Sequence, residues 1–273
     1  MLLALAALLL LPVPPPPRDH FPDDPGDAHV FLAIDARSGE IVRSDAPVAA
    51  DREWLPAGET ARVLVALAGL EDGVLGPDET IACDDDCWAK GRHGELPLAE
   101  ALAYSCDTYF REAVSRVPAT SLTREARRAG FERRPRTPTG GDEFDPDWDA
   151  TAREWVEFWS RLTRGDFAGR SSATSTLLAA ATLAVSSPRG TARALYDPRH
   201  RAGAITGSTS EGVWVTGSYS AHGFSWVFAL FVREGTDTLG AARAARLLEE
   251  TLRVFQSSTY ERGGFPLPPL DER

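Results

Sequence analysis

Residues 55–73, LPAGETARVLVALAGLEDG, run a Pro-x-Gly loop into an apolar helix, and the polar side chains at its mouth are Glu59 and Arg62. That position suits a nucleophile and its base, yet these two residue types suit neither role. A guanidinium titrates above about 12 and takes no proton at neutral pH. A glutamate attacking a carbonyl would form an anhydride, which water opens rapidly. What the pair can do is neutralise itself. Glu59 interacts with the positive end of the helix for about 0.3–1 kcal/mol, and Arg62 one turn on adds about 0.2–0.5 kcal/mol as an ion pair. The chain contains one lysine, Lys90, and the residue three before it is Cys87, so no Ser-x-x-Lys pair exists anywhere. Ser105 and Ser208 are hydroxyls that would need a general base from elsewhere. His222 falls in a hairpin turn, where a solvated imidazole is the ordinary outcome. Glu59 with Asp107 remains as a carboxylate pair for hydrolysis, provided the two face one pocket about 5–9.5 Å apart.

Three cysteines, Cys83, Cys87 and Cys106, lie within 24 residues. An oxidising compartment would allow one pair to bridge and leave one thiol over, and spacing does not say which. With His93 they make a possible zinc set, but the spacings match no common finger or ribbon. Neither a metal nor a cofactor is expected.

The elements that must position these groups follow from periodicity. HVFLAID (29–35) alternates, turns at 36–39 and returns from Glu40 as a β-hairpin. The spacing predicts an opening helix over 59–71, with Val63, Leu64, Ala66, Leu67 and Leu70 on its apolar face, stopped by Gly73 and Gly76-Pro77. A second helix is predicted over 97–115, carrying Leu98, Ala101, Leu102, Cys106, Tyr109 and Phe110. Residues 132–148 form a Pro/Gly/Asp-rich loop, and helices resume at 149–163 and 172–186. The period then changes: AGAITGSTS, GVWVTGSYS and FSWVFALFV read as three strands, closed by a helix over 238–255. Two early strands, helices, three late strands and a last helix predict an α+β fold, an antiparallel five-stranded sheet flanked by helices.

Composition, with 43% apolar and 25% charged residues, is that of a globular protein long enough for one large domain or two small ones. Twenty-nine basic against 40 acidic residues give a net charge of −11, which argues against nucleic acid as a partner. The only basic run, Glu132-Arg133-Arg134-Pro135-Arg136, sits in a turn-rich loop and reads as solvated. MLLALAALLLLPVPPPP is shorter than the roughly 20 residues of a spanning helix and reads as an export signal. It lacks a leading Lys or Arg and a clear cleavage site. Any membrane contact is expected through this segment alone. The chain thus divides into a signal-like segment and linker over 1–27, a domain over 28–257 and a disordered tail over 258–273.

Four stretches in order resemble the penicillin-binding transpeptidase domain and its relatives the serine β-lactamases, especially the compact class D and sensor-type forms. LPAGETARVLVALAGLEDGVL resembles the helix that opens with Pro-x-Ser-x-x-Lys. KGRHGELPLAEALAYSCDTYF resembles the segment leading to Ser-x-Asn, here Ser105-Cys106-Asp107. PRGTARALYDPRHRAGAITGSTS resembles the Gly-Thr-Ala cap and the Lys-Thr-Gly strand, here Ile205-Thr206-Gly207. TAREWVEFWSRLTRG resembles the helix between those motifs. The resemblance implies a site in which serine attacks the carbonyl of a peptidoglycan stem peptide or a β-lactam ring.

Each motif departs where that chemistry needs it. Glu59 and Arg62 stand for serine and lysine, Asp107 for asparagine, and Ile205 for the lysine that would hold a substrate carboxylate. The expectation is a catalytically inactive member that binds a peptidoglycan stem peptide or a cell-envelope protein without covalent chemistry. Ser105, Thr206, Gly207, Ser208 and Thr209 would line the site, and a peptide could add to the strand edge. Trp88, Trp214 and Trp226 could floor such a groove, although core packing is the more ordinary role for each. The alternative is an active serine-type acyl transferase with another nucleophile.

Overall fold

The computed structural model describes residues 29–84, 94–133, 148–167, 171–233 and 236–261. In chain order it comprises β1 (His29–Asp35), β2 (Ile41–Asp45), α1 (Pro47–Arg52), β3 (Leu55–Pro56), α2 (Arg62–Asp72), β4 (Thr80–Cys83), β5 (Gly94–Pro97), α3 (Leu98–Ala103), α4 (Asp107–Arg116) and α5 (Ala119–Ala129). There follow β6 (Asp149–Ala150), α6 (Ala152–Arg164), α7 (Ser171–Ser186), β7 (Arg201–Ser208), β8 (Gly212–Ala221), β9 (Phe224–Arg233) and α8 (Asp237–Glu261).

Five strands form one antiparallel sheet in the order β2-β1-β9-β8-β7. Strands β1 and β9 carry unbroken apolar runs, VFLAI and WVFALFV, because both faces of the sheet are covered there. On β8, Val213 and Val215 lie against Gly240 of α8, while the intervening Trp214 meets Trp155 of α6 at 6.3 Å between rings. Successive side chains of a strand point to opposite faces, so α6 and α8 close the two sides. Two short ribbons, β3 with β6 and β4 with β5, stand outside this sheet.

Helix α2 is buried at every residue from Arg62 to Leu70. A helix apolar around its whole circumference belongs in the interior, and α2 is the post around which α4, α5 and α7 pack. Its left-handed cap at Gly73, φ 73°, ends it where the sequence predicts. Helix α6 opens with a capping box: Thr151 accepts from the Glu154 amide at 3.2 Å, and the Glu154 carboxylate accepts from the Thr151 amide at 2.7 Å.

The structure departs from expectation at several elements. The opening helix starts at Arg62, and Glu59 belongs to a 3₁₀ turn, Gly58–Ala61, that leads into it. The single helix expected over 97–115 is two, α3 and α4, with a break at Tyr104–Cys106. Helices α1 and α5 and the β4–β5 ribbon were not anticipated. Helix α8 continues to Glu261, past the expected end of the ordered body. Most of the Pro/Gly/Asp-rich loop, the N-terminal segment and residues 262–273 lie outside the described residues, as do Cys87, Trp88, Lys90 and His93. No helix among the described residues is long and apolar enough to cross a membrane.

Candidate functional site

The mouth of α2 is held by contacts to two neighbouring segments. Trp214 Nε1 donates to the Pro56 carbonyl at 2.8 Å and the Ala57 amide to the Trp148 carbonyl at 2.8 Å, anchoring the approach to the helix. Strand β7 then runs against the 3₁₀ turn, backbone on backbone. A Cβ on Gly207 would stand 2.2 Å from the Thr60 amide nitrogen, and one on Gly58, φ +51°, 2.2 Å from the Ser208 carbonyl oxygen. Glycine is needed at both positions. The Thr-Gly of the third motif therefore lies against the residues that open the first.

The second motif reaches the same place through the break between α3 and α4. Ser105 sits there with φ +55°, a left-handed conformation uncommon for a serine. The Ser105 amide donates to Leu102 O at 3.3 Å and the Cys106 amide to Ala101 O at 2.9 Å, so the kink is hydrogen-bonded. It turns the Ser105 hydroxyl and the Asp107 carboxylate toward Arg62.

Arg62 is the hub of what results. Its side chain is 3% exposed, Nη1 donates to Ser105 Oγ, and Nη2 donates to Asp107 Oδ1 and pairs with Glu59 Oε1 at 3.2 Å. Ser105 Oγ in turn donates to Glu59 Oε2 at 3.3 Å, and the guanidinium carbon lies 5.6 Å from the centre of the Phe110 ring. The planar fork of arginine spreads its donors over two terminal nitrogens and so reaches Ser105 from one and both carboxylates from the other, a geometry the point-like lysine ammonium does not offer. Glu59 and Asp107 are each 27% exposed, so the network has its cation inside and its carboxylates at the mouth. The two carboxylates meet on one nitrogen, Nη2. A guanidinium nitrogen, rather than a water or a substrate, thus stands between them, which is not the arrangement paired-carboxylate hydrolysis requires.

The third motif contributes differently from expectation. Ile205 and Thr206 are buried at 3% and 4%, and Ile205 brings no cation to the site. The Thr209 hydroxyl is committed to closing the β7–β8 turn, accepting from the Glu211 and Gly212 amides at 3.0 Å, which leaves it poorly placed for a ligand. Ser208 Oγ donates to Asp237 Oδ1 at 3.2 Å. Asp237, at the start of α8, is a site residue that sequence reading missed. Burial first, then the charge of Glu59, pushes its carboxyl up to about 6, against the lowering effect of the Ser208 and Thr206 hydroxyls and of Arg62. The helix is read to begin at 238, and only the fold brings its first residue to β7.

Other expected residues fall away from this place. Trp214 and Trp226 are core: Trp214 is fully buried and Trp226 stacks on Tyr219 with ring centres 6.0 Å apart. His222 lies in the β8–β9 turn, as expected, with φ +51°. His200 packs 5.5 Å from it, and the His200 Nδ1 is 2.7 Å from the Tyr219 hydroxyl.

Comparison with known proteins agrees with this geometry. The family model described as the penicillin binding protein transpeptidase domain matches residues 31–182, over half of the chain. Among solved structures, the class D β-lactamase BAT-2 is similar with a TM-score of 0.68 at 15% identity, covering 88% of this chain and 97% of that one. A class D β-lactamase from Bacillus subtilis gives 0.64 at 13%, covering 91% and 98%. FUS-1, a class D β-lactamase from Fusobacterium nucleatum subsp. polymorphum, gives 0.63 at 15%, covering 86% and 93%. No curated protein matches by sequence. At such identities the likeness of structures speaks for the fold alone, while the sequence match over 31–182 speaks for descent, and on that ground the chain belongs to the penicillin-binding protein transpeptidase domain family.

Proposed function

We propose that this is an exported domain that binds a cell-wall peptide or a cell-envelope protein without covalent chemistry, a pseudoenzyme of the transpeptidase fold. The observation that carries the reading is Arg62: a buried guanidinium joined to Glu59, Ser105 and Asp107 stands where the family's chemistry requires an amine able to accept a proton. The guanidinium that donates to the Ser105 hydroxyl is a permanent cation and takes no proton from it at neutral pH. Charge supports non-covalent selectivity of another kind. With Ile205 in place of the lysine and Asp107 in place of the asparagine, the mouth presents carboxylates, so it repels the anionic ligands that a cationic site would hold and favours a peptide bearing an ammonium group. The apolar leader supports export.

The test is incubation of the purified protein with a fluorescent penicillin, followed by denaturing electrophoresis and adduct mapping, beside an active class D β-lactamase. No labelled band is expected from this chain; a stable adduct at a defined residue would refute the reading. One contact favours serine-type acyl transfer as a second reading: Ser105 Oγ donates to a carboxylate, Glu59, at 3.3 Å. An adduct mapped to Ser105 would establish it.

A further inference from the structure

Cys106 stands between the two site residues Ser105 and Asp107, and its side chain points away from Arg62 toward β4. Its Sγ lies 2.6 Å from Sγ of Cys83, the last residue of that strand. Both sulfurs are buried, Cys106 completely and Cys83 to 5%. Two further contacts lay α4 along the same segment. The Thr108 hydroxyl donates to the Asp84 carboxylate, and Arg116, at the far end of the helix, pairs with Glu79 at 2.5 Å. Contacts from Cys106, Thr108 and Arg116 thus hold α4 against the stretch Glu79–Asp84, with the cysteine pair at the end nearest the site.

We infer that Cys83 and Cys106 are the bridging pair, joined by a disulfide that clamps the Ser105–Asp107 kink in the position where it meets Arg62, and that Cys87 is the thiol left over. The inference does not depend on what the site binds. Geometry makes the choice that spacing left open: the two sulfurs already adjoin, and their backbones are held by contacts on either side, so closing the bond requires little movement. Oxidation needs an acceptor, and a small disulfide such as oxidised glutathione serves during folding. One thiolate attacks it and releases a glutathione thiolate. The second attacks the mixed disulfide and releases the other. Two electrons and two protons leave the cysteine pair, and the glutathione disulfide becomes two thiols.

The experiment is disulfide mapping of the full chain refolded over a glutathione redox couple, with free thiols blocked before digestion. Trypsin leaves Cys83 and Cys87 together on the peptide 63–90, so an Asp-specific protease is required to cut at 84–86. A Cys83–Cys106 cross-link two hydrogens lighter than the reduced peptides, with Cys87 alkylated, is the expected result. A link from Cys87 to either partner, or three alkylated thiols, would overturn the inference. The clamp is tested separately by melting the oxidised protein and the Cys87→Ala variant with and without a phosphine reductant. Both should lose about 5–10 °C of Tm on reduction, as expected for opening a loop of this size in a domain of this length. An unchanged Tm would overturn the clamp, and mapping of the natural chain remains decisive even where a cysteine variant folds poorly.

Discussion

At the scale of the residue, the mouth of α2 holds a cation, Arg62, shared by three acceptors, Glu59, Ser105 and Asp107. Arg62→Ala would leave Glu59 and Asp107 facing each other and the Ser105 hydroxyl short of a donor. Urea denaturation should show a loss of about 2–4 kcal/mol at unchanged m-value. Arg62→Lys should fall between, because it keeps the charge and loses the fork. Asp237 makes a prediction about pH. Its folded carboxyl titrates at about 6, above its ordinary 3.8, so between those values the folded chain binds more protons than the unfolded one. Stability contributed by this group is therefore highest at low pH and falls as pH rises through about 6. Glu154, raised by burial, acts in the same direction, whereas His200, lowered by burial, acts in the opposite one. Comparing the natural chain with Asp237→Asn isolates the aspartate: the variant should gain most at pH 7, by up to about 3 kcal/mol, with little difference near pH 4. Glu59, Arg62, Ser105 and Asp107 were legible because each lies inside a stretch whose order and spacing persist. Asp237 was not, since nothing local distinguishes an aspartate at a helix start that caps in solvent from one buried against β7.

Elements carry the second kind of information. The three late strands and the apolar face of α2 were readable because β-rich runs separated by tight turns, and large side chains at helical spacing, persist in the sequence. The break between α3 and α4 was not. Leu98, Ala101, Leu102, Cys106, Tyr109 and Phe110 are all buried, as a continuous helix would have them, so periodicity survives across a kink that only the left-handed Ser105 reveals. Helix α5 escaped for a different reason. Its buried side is small and partly polar, Ser121, Leu122, Glu125, Ala126 and Ala129, with Glu125 satisfied by Arg124 at 2.8 Å and Arg128 at 2.6 Å. An apolar-face search does not register such a stripe. The close approach of β7 to the turn before α2 is the element-level feature most open to test. Gly207→Ala places a methyl against the Thr60 backbone, which cannot yield as a flexible side chain would. Stability should fall by about 3 kcal/mol in denaturant titration, and the Thr206 and Ser208 amides should exchange faster with deuterium.

For the whole molecule, the sheet order and the flanking helices agree with the α+β reading, and the match over 31–182 assigns the family. On the proposed function, what separates this chain from a catalytic member of the fold resides in a few side chains, Glu59, Arg62, Asp107 and Ile205, rather than in the architecture. The sheet order also bears on how the protein comes into being. β1, at the start of the described chain, is flanked by β2 and by β9, so the ladder from His29–Val232 to Asp35–Trp226 cannot form until almost the entire chain has left the ribosome. Until then an apolar strand, VFLAI, has one edge unsatisfied and open to the wrong partner. On the proposed export, such a chain would travel unfolded and assemble only on arrival, where its last strand at length reaches its first.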